Sequence, residues 1–256
     1  MTARIEDAGD RLIIWNGNAA RRGALGPELY AAIRTAMEQA VHPRIRAIIL
    51  TSDGDFFCAG GDLNVLIERR SLSEAERRAK VDDLHDLIRA MRESPVPIIG
   101  AIKGGAAGAG ASLALACDLI VAEAGAKFTA AYVKAGLVPD AGLTASLARL
   151  VPRTLAMEMC ILARPVTSER LLALGAITDC VAGPDVLTRA HQLADEVARG
   201  PRDAIGAIRS LVASAYDQTE AVQLDLERDA MARAAGGAES AEGIAAFLEK
   251  RPARFD

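Results

Sequence analysis

The chain has 256 residues and a formal net charge of −4, with 51% hydrophobic and 25% charged residues. This composition is ordinary for a globular protein with one substantial core or two small ones, and it offers no basic field that would attract nucleic acid. No apolar run approaches the roughly 18–20 residues that span a bilayer, so we expect neither a nucleic-acid nor a membrane partner.

The first half of the chain alternates between strand-like and helix-like patterns. The polar, acidic N-terminus, Met1–Asp7, lacks the features of a signal peptide and predicts a cytoplasmic location. Arg11–Trp15 predicts a first strand, and Pro27–Ala40 has apolar residues at helical spacing. Ile45–Leu50 is strand-like again, and Ser73–Arg92 predicts a charged amphipathic helix.

The alternation continues in the second half before helical patterns take over. Pro97–Ile102, Leu119–Ala122 and Ala176–Val181 predict further strands. From Pro184 onward, helical segments are separated by glycine-containing breaks. This order of elements predicts an α/β architecture with the sheet packed between helices.

Two turns rich in glycine and alanine lie about fifty residues apart, and each follows a strand-like run. They are Phe56–Leu63 and Gly104–Ser112. Small residues let a ligand approach the backbone closely and leave N–H groups free, so two such groups aimed at one oxygen would form an oxyanion hole. The alternative is that each turn is only a tight connection. Neither has the Gly-Lys-Ser/Thr ending of a phosphate loop.

The cysteines and histidines predict no metal site. The spacing of the four cysteines fits neither a zinc site nor a redox Cys-x-x-Cys pair, and the three histidines do not pair at ligand spacing. All cysteines except Cys180 stand among small or apolar neighbours, which is typical of buried structural thiols. The residues concerned are Cys58, Cys117, Cys160, Cys180, His42, His85 and His191.

Several motifs in a fixed order make the chain resemble the crotonase superfamily, which is the enoyl-CoA hydratase/isomerase family. The resemblance covers nearly the whole sequence. Its markers are Arg22–Leu25, Phe57–Leu63, Gly104–Ile120, Ala126–Phe128, Gly136–Gly142 and Gly243–Pro252.

The resemblance implies a fold, an assembly and a substrate class. The fold would be a spiral of ββα turns over residues 1–190, followed by a helical trimerisation region over residues 191–256. The assembly would be a homotrimer or a homohexamer. The substrate would be an acyl-CoA thioester, with coenzyme A entering as part of the substrate and no permanently bound cofactor. The oxyanion donors would be the N–H groups of Gly61 and Ala109.

The resemblance also implies the surfaces that bind the substrate. The adenine and phosphate region would be lined by Arg22, Ala24 and Leu25, and the pantetheine entry by Ala59, Gly61, Asp62 and Leu63. Phe247 and Lys250 would reach the nucleotide of a neighbouring subunit. The acyl pocket would be formed by the Leu63–Ser71 loop, Tyr132 and Val133.

The chain departs from the hydratase pattern at the proton-transfer groups. Hydratases of the family use two glutamates, and the corresponding positions here are Ser112 and Tyr132. The carboxylate that remains is Asp140, in a Pro-Asp-x-Gly sequence that carries the catalytic aspartate in certain isomerases of the family. Its alternative role is to cap a helix that begins near Leu143.

Four hypotheses follow. The leading one is an enoyl-CoA isomerase in which Asp140 moves a proton between two carbons. The second is a hydratase that uses Asp140, Tyr132 or bound water, and the third is a non-catalytic acyl-CoA-binding subunit. The fourth, a dehalogenase with a nucleophilic aspartate, is disfavoured because it needs a nearby tryptophan and histidine. Trp15 lies on the first predicted strand, and His85 falls within the amphipathic helix.

Overall fold

The computed structural model describes residues 3–255. Met1, Thr2 and Asp256 belong to the predicted N-terminal segment and C-terminal region but lie outside the described range. The strands are β1 (Ala3–Asp7), β2 (Arg11–Asn16), β3 (Ala47–Ser52), β4 (Ile98–Ile102), β5 (Gly105–Ala107), β6 (Leu119–Glu123), β7 (Lys127–Thr129), β8 (Val166–Thr167) and β9 (Asp179–Val181).

The helices surround these strands, and short 3₁₀ helices cover residues 19–21, 131–135 and 183–185. The α-helices are α1 (Pro27–Gln39), α2 (Leu63–Arg69), α3 (Glu74–Arg92), α4 (Ala109–Ala114), α5 (Leu143–Leu150), α6 (Arg153–Leu162), α7 (Ser168–Ala173), α8 (Val186–Ala198), α9 (Arg202–Ser214), α10 (Glu220–Ala235) and α11 (Ala238–Glu249). Within residues 3–255, no helix combines the length and apolar character needed to cross a membrane.

The larger sheet has the strand order β1-β2-β3-β4-β6-β9, and all its pairs are parallel except β1 with β2. Every residue of β3 is buried because both faces of the sheet are covered. Ile48 and Leu50 pack with α1 and α3 on one face, whereas Ile49 packs with α8 on the other. This confirms the predicted α/β architecture with the sheet between helices.

The smaller sheet has the order β5-β7-β8 and was not predicted. Its strands have only two or three residues, which is too short for an alternating pattern to be visible. It matters for the site because β5 lies between β4 and α4, within the second glycine-rich turn.

Several predicted boundaries needed correction. The strand expected from Ile45 begins at Ala47, and the strand expected from Ala176 begins at Asp179. The segment predicted as a loop, Leu63–Ser71, is mostly the helix α2. Its apolar residues Leu63, Leu66 and Ile67 stand at helical spacing, but the helix has only seven residues and buries none of them.

The C-terminal helices leave many large apolar side chains uncovered. Phe247 is 84% exposed, and Met231, Tyr216, Leu248 and Val212 are also exposed. Such a surface supports the predicted trimerisation region, which remains a prediction. The predicted boundary at residue 190 falls inside α8, a helix that packs on the larger sheet, and the division into two regions remains a prediction.

A buried arginine joins α9 to the end of α3. Arg209 donates to the carbonyl oxygens of Met91, Arg92 and Ser94 at 2.5, 2.7 and 2.8 Å. Its Nε also donates to Asp118 Oδ2 at 2.7 Å. These bonds satisfy carbonyl groups that the end of α3 leaves without helical partners.

We predict that Arg209→Ala lowers the free energy of unfolding by roughly 1–3 kcal/mol, because it leaves buried carbonyl groups at the end of α3 without their donor. Denaturant unfolding measures this change. The control is Arg228→Ala, whose side chain is exposed and pairs with Asp225 and Asp229 on the surface. The control should change stability by about 0.5 kcal/mol or less. Equal effects of the two substitutions would contradict the role given to Arg209.

Candidate active site

The two glycine-rich turns pack directly against each other. Cys58 pairs with Ala106 in a parallel bridge, and the N–H of Ala107 donates to the carbonyl oxygen of Cys58 at 2.9 Å. Gly60 has a φ of 90°, and a Cβ on it would lie 2.7 Å from the carbonyl oxygen of Ala107. The contact is therefore backbone to backbone, with no room for a side chain at this position.

The proposed oxyanion donors lie where the turns meet. A Cβ on Gly60, the residue before Gly61, would lie 3.1 Å from the backbone nitrogen of Ala109. Ala109 is the first residue of α4, so its N–H has no partner within the helix. Among residues 3–255, neither the Gly61 nor the Ala109 N–H makes a hydrogen bond with another group.

The predicted coenzyme A segment runs beside the first turn. The N–H of Leu25 donates to the carbonyl oxygen of Gly60 at 2.8 Å, and the N–H of Ala59 donates to that of Arg22 at 3.0 Å. Arg22 has a φ of 51°, and its guanidinium lies 4.2 Å from the centre of the Phe56 ring. The structure thus brings the segment around residues 22–25 to the edge of the turn.

Asp62 and Leu63 stand at the start of α2, and Ala24 is buried. The Asp62 carboxylate accepts a hydrogen bond from the N–H of Asn64 at 2.9 Å and forms an ion pair with Arg21. Its charge is therefore used to cap α2 and to hold Arg21. Leu63 is 62% exposed, so this apolar side chain is available to a ligand at the mouth of the turn.

Asp140, Tyr132 and Ser112 form one hydrogen-bonded group. The Tyr132 hydroxyl donates to Asp140 Oδ1 at 2.7 Å. Ser112 Oγ lies 3.0 Å from the Tyr132 hydroxyl oxygen and 3.1 Å from the carbonyl oxygen of Asp140. Ser112 is one turn after Ala109 on α4, and Cβ atoms at that spacing are roughly 5–6 Å apart. Ser112 thus links the group that contains Asp140 to the helix whose first residue is one of the proposed donors.

The environment of Tyr132 keeps its phenol protonated. Burial raises the pKa of Tyr132 well above its ordinary value, and the negative charge of Asp140 and the hydrogen bond to it raise that pKa further. The phenol therefore acts as a donor to the carboxylate and does not release its proton near neutral pH.

Asp140 does not cap α5 through its side chain, which corrects the alternative role considered for it. The N-cap is Gly142, with a φ of 76°, and no side chain bonds to the first turn of the helix. The N–H of Leu143 instead donates to the carbonyl oxygen of Asp140 at 3.1 Å. The carboxylate is left for other contacts, and within residues 3–255 its Oδ2 accepts no hydrogen bond.

His85, which the sequence analysis considered as the histidine of a disfavoured dehalogenase and left in the amphipathic helix, is a neighbour of Asp140. Its Nε2 accepts a hydrogen bond from the N–H of Ala141 at 3.2 Å. In the sequence, His85 can be recognised as a polar residue beside the apolar stripe of α3. The sequence does not show its partner, which is a backbone N–H 56 residues away. Trp15 lies on β2 and donates to Glu6, so no tryptophan joins this group among the described residues.

Within one chain, Phe247 and Lys250 do not contact this site. Phe247 is on α11, and Lys250 ends that helix with a φ of 55°. Among the described residues, neither makes a hydrogen bond, ion pair or ring contact with the turns or with Asp140. Their predicted role at a neighbouring subunit remains a prediction.

The thiol closest to the turns is unreactive. Cys58 is buried, and burial raises its pKa to about 12. Cys117 is also buried, whereas Cys160 and Cys180 are partly exposed, so only two of the predicted buried thiols are fully buried. The part of the chain that the structure describes contains no group of three or more His, Cys, Asp or Glu side chains placed to hold a metal ion.

The two sheets, the paired turns and the C-terminal helices have the architecture of crotonase-fold proteins. The crystal structure of an enoyl-CoA hydratase from Polaromonas sp. JS666 matches with a TM-score of 0.95 and 38% identity, over 99% of each chain. A family model described as enoyl-CoA hydratase/isomerase matches residues 18–256.

Two curated relatives have similar identity to this chain but are named for different reactions. The 1,2-epoxyphenylacetyl-CoA isomerase of Escherichia coli strain K12 is 35% identical over 92% of this chain and 90% of its own length. A probable enoyl-CoA hydratase of Rhodobacter capsulatus is also 35% identical, over 92% of this chain and 89% of its own length. The chain belongs to the enoyl-CoA hydratase/isomerase family, and the predicted crotonase resemblance is confirmed.

We predict that Gly60→Ala abolishes most turnover of acyl-CoA, because the new Cβ would push against Ala107 and Ala109 and displace the proposed donors. The matched control is Gly9→Ala. Gly9 has a φ of 88°, close to that of Gly60, but a Cβ on it would meet nothing within 4 Å. Both substitutions should cost about 1–3 kcal/mol of stability from backbone strain. Only Gly60→Ala should reduce turnover, and equal activity of the two variants would argue against the contact.

We predict that wild-type protein loses stability above about pH 10 more steeply than Tyr132→Phe. Tyrosine ionises near pH 10 in an unfolded chain, and the folded pKa is raised. The folded state therefore holds more protons above that pH, and the free energy of unfolding falls by at most about 1.4 kcal/mol per pH unit from this group.

Urea unfolding between pH 8 and 11 checks this difference. Tyr216→Phe is the control because the Tyr216 side chain is 70% exposed, and this variant should keep the wild-type slope. Parallel curves for wild type and Tyr132→Phe would show that Tyr132 is not the group responsible.

Proposed function

We propose that the protein is an enoyl-CoA isomerase that moves a proton between two carbons of an acyl-CoA, with Asp140 as the acid–base group. The main support for the proposal is the hydrogen bonding of the two Asp140 carboxylate oxygens. Oδ1 is held by the Tyr132 hydroxyl at 2.7 Å, whereas Oδ2 has no protein partner among residues 3–255. One oxygen is thus oriented and the other is available to take a proton.

The first step of this proposal is enolisation. The thioester oxygen would accept hydrogen bonds from the N–H groups of Gly61 and Ala109, each worth about 3–4 kcal/mol at the transition state. Asp140 would then take a proton from C2 of a 3-enoyl-CoA. The electrons of the C–H bond would pass into the thioester, and the product of this step would be a dienolate.

The second step returns the proton. Asp140, now protonated, would deliver it to C4, and the double bond would move to C2–C3 in conjugation with the thioester. The carboxylate would be regenerated, so the reaction consumes no water and no external acid. The same group would act twice, which requires only that it reaches both carbons.

The substitutions at the two glutamate positions support an isomerase over a hydratase. Ser112 has no base beside it, and Tyr132 keeps its proton because its pKa is raised. The relative named as an isomerase is as similar as the relative named as a hydratase, so identity alone does not separate them.

Binding of the substrate would involve the segment next to the first turn. Arg22 at the turn edge and exposed Leu63 at the start of α2 would contact the coenzyme A portion. Coenzyme A would enter as part of the thioester, with no permanently bound cofactor. The uncovered apolar side chains of α9, α10 and α11 support a homotrimer or homohexamer, in which Phe247 and Lys250 would contribute to a neighbouring site.

We predict that Asp140→Asn lowers the conversion of 3-enoyl-CoA to 2-enoyl-CoA by about 10²–10⁴-fold, since the amide cannot accept the proton. The absorbance of the conjugated thioester measures the rate, and calorimetric titration with the product should show that acyl-CoA binding is retained. Asp7→Asn makes the same charge change on exposed β1, where Asp7 pairs with Arg44, and should leave the rate unchanged.

The products distinguish the competing functions. Full activity of Asp140→Asn would contradict the assignment of this residue as the base. A mass increase of one water would identify a hydratase. Tight binding of acyl-CoA without exchange of its α-proton in heavy water would identify a non-catalytic binding protein.

A further inference from the structure

His85 contacts the peptide group that carries Asp140. The carbonyl oxygen of Asp140 and the N–H of Ala141 belong to one peptide group, and both ends of this group are bonded. The carbonyl accepts from the N–H of Leu143 at 3.1 Å and lies 3.1 Å from Ser112 Oγ. The N–H donates to His85 Nε2 at 3.2 Å. The orientation of this peptide group is thereby fixed from two sides.

The peptide group needs such support because the next residue is strained. Ala141 is buried and has a φ of 50°, a left-handed conformation that costs roughly 1–2 kcal/mol for a residue with a Cβ. A buried N–H without an acceptor would add a further cost. His85 supplies that acceptor and thereby removes the cost of a buried N–H without a partner.

The position of His85 on α3 fits this role. Leu84, Leu87 and Ile88 on α3 are buried in the core, whereas His85 is half-buried beside them. Arg92, two turns further along, lies beside Gly142, where a Cβ would be 3.1 Å from its Nη2. One face of α3 therefore runs along the Ala141–Gly142 backbone.

We propose that His85 is a positioning residue, which fixes the Asp140–Ala141 peptide group so that the free carboxylate oxygen is directed at the acyl carbons. The proposal rests on the proposed function of Asp140. Nε2 acts as an acceptor, so the neutral ring carries its proton on Nδ1. His85 need not touch the substrate, and its effect passes through the backbone.

Three variants test this role. His85→Phe keeps a ring but removes the acceptor, whereas His85→Gln offers an amide oxygen that can accept from the Ala141 N–H. The matched control is His42→Phe, because His42 Nδ1 also accepts a backbone N–H, that of Arg44, at 3.2 Å in an exposed turn. The substrate is 3-enoyl-CoA, and each protein is first shown to be folded by thermal unfolding.

We predict that His85→Phe lowers kcat about 10- to 100-fold with KM changed less than about 3-fold, since small misplacements of a catalytic group have effects of this size. His85→Gln should recover most of the rate, and His42→Phe should match the wild type. In an Asp140→Asn background, His85→Phe should lower the residual rate by less than about 2-fold. A full additional loss there would overturn the proposal.

Hydrogen exchange of the Ala141 amide tests the positioning independently of turnover. Exchange should become faster in His85→Phe than in the wild type and should remain slow in His85→Gln, as measured by mass spectrometry on peptides covering residues 136–146. Unchanged exchange in His85→Phe would overturn the proposal, and so would faster exchange with an unchanged kcat. If the wild type does not isomerise 3-enoyl-CoA, the proposed function fails, while the exchange measurement still decides whether His85 holds this peptide group.

Discussion

The close contact of two backbone turns is the constraint on which the rest of the site depends. Each turn follows the carboxyl end of a strand, and those strands, β3 and β4, are parallel neighbours in the larger sheet. Loops at the carboxyl ends of adjacent parallel strands meet at one edge of a sheet. Here they meet so tightly that a Cβ on Gly110 would lie 2.2 Å from the carbonyl oxygen of Cys58. Packing of the sheet thus sets the relative position of Gly61 and Ala109.

The helix α4 connects the contact between the turns to the group formed by Ser112, Tyr132 and Asp140. The N–H of its first residue, Ala109, makes no hydrogen bond within residues 3–255, and Ser112 one turn later contacts both Tyr132 and Asp140. All six residues of α4 are buried, so the helix has little freedom to move. The carboxylate is therefore positioned relative to the backbone donors by a short, rigid path, as a reaction at one thioester requires.

The sequence alone predicted the helices and strands whose buried residues follow a regular pattern. It predicted β2, α1 and α3 because a buried strand or one apolar helix face leaves a periodic signal, and α3 also begins with a Ser73–Glu76 capping box. It left α2 as a loop, because an apolar pattern over only seven residues is weak, and it could not predict the two- and three-residue strands of the smaller sheet. The family resemblance pointed to Asp140, Tyr132 and Ser112. It raised His85 only as the histidine of a disfavoured dehalogenase. It did not predict the hydrogen bond from the Ala141 N–H, because a contact with a distant backbone group leaves no spacing in the sequence.

The number of available proton-transfer groups separates the two reactions of the family. Adding water to a double bond needs one group to take a proton from the water and a proton donor for the carbon. A 1,3-shift needs one group that takes a proton and gives it back. In this site the phenol of Tyr132 keeps its proton because burial and the Asp140 charge both raise its pKa. Ser112 Oγ lies 3.0 Å from the Tyr132 hydroxyl oxygen and donates to the carbonyl oxygen of Asp140 at 3.1 Å. Under the proposed function, Asp140 would be the group that exchanges a proton with the substrate, since within residues 3–255 one of its oxygens is held and the other accepts no hydrogen bond. A single group of this kind would suit the shift better than the addition.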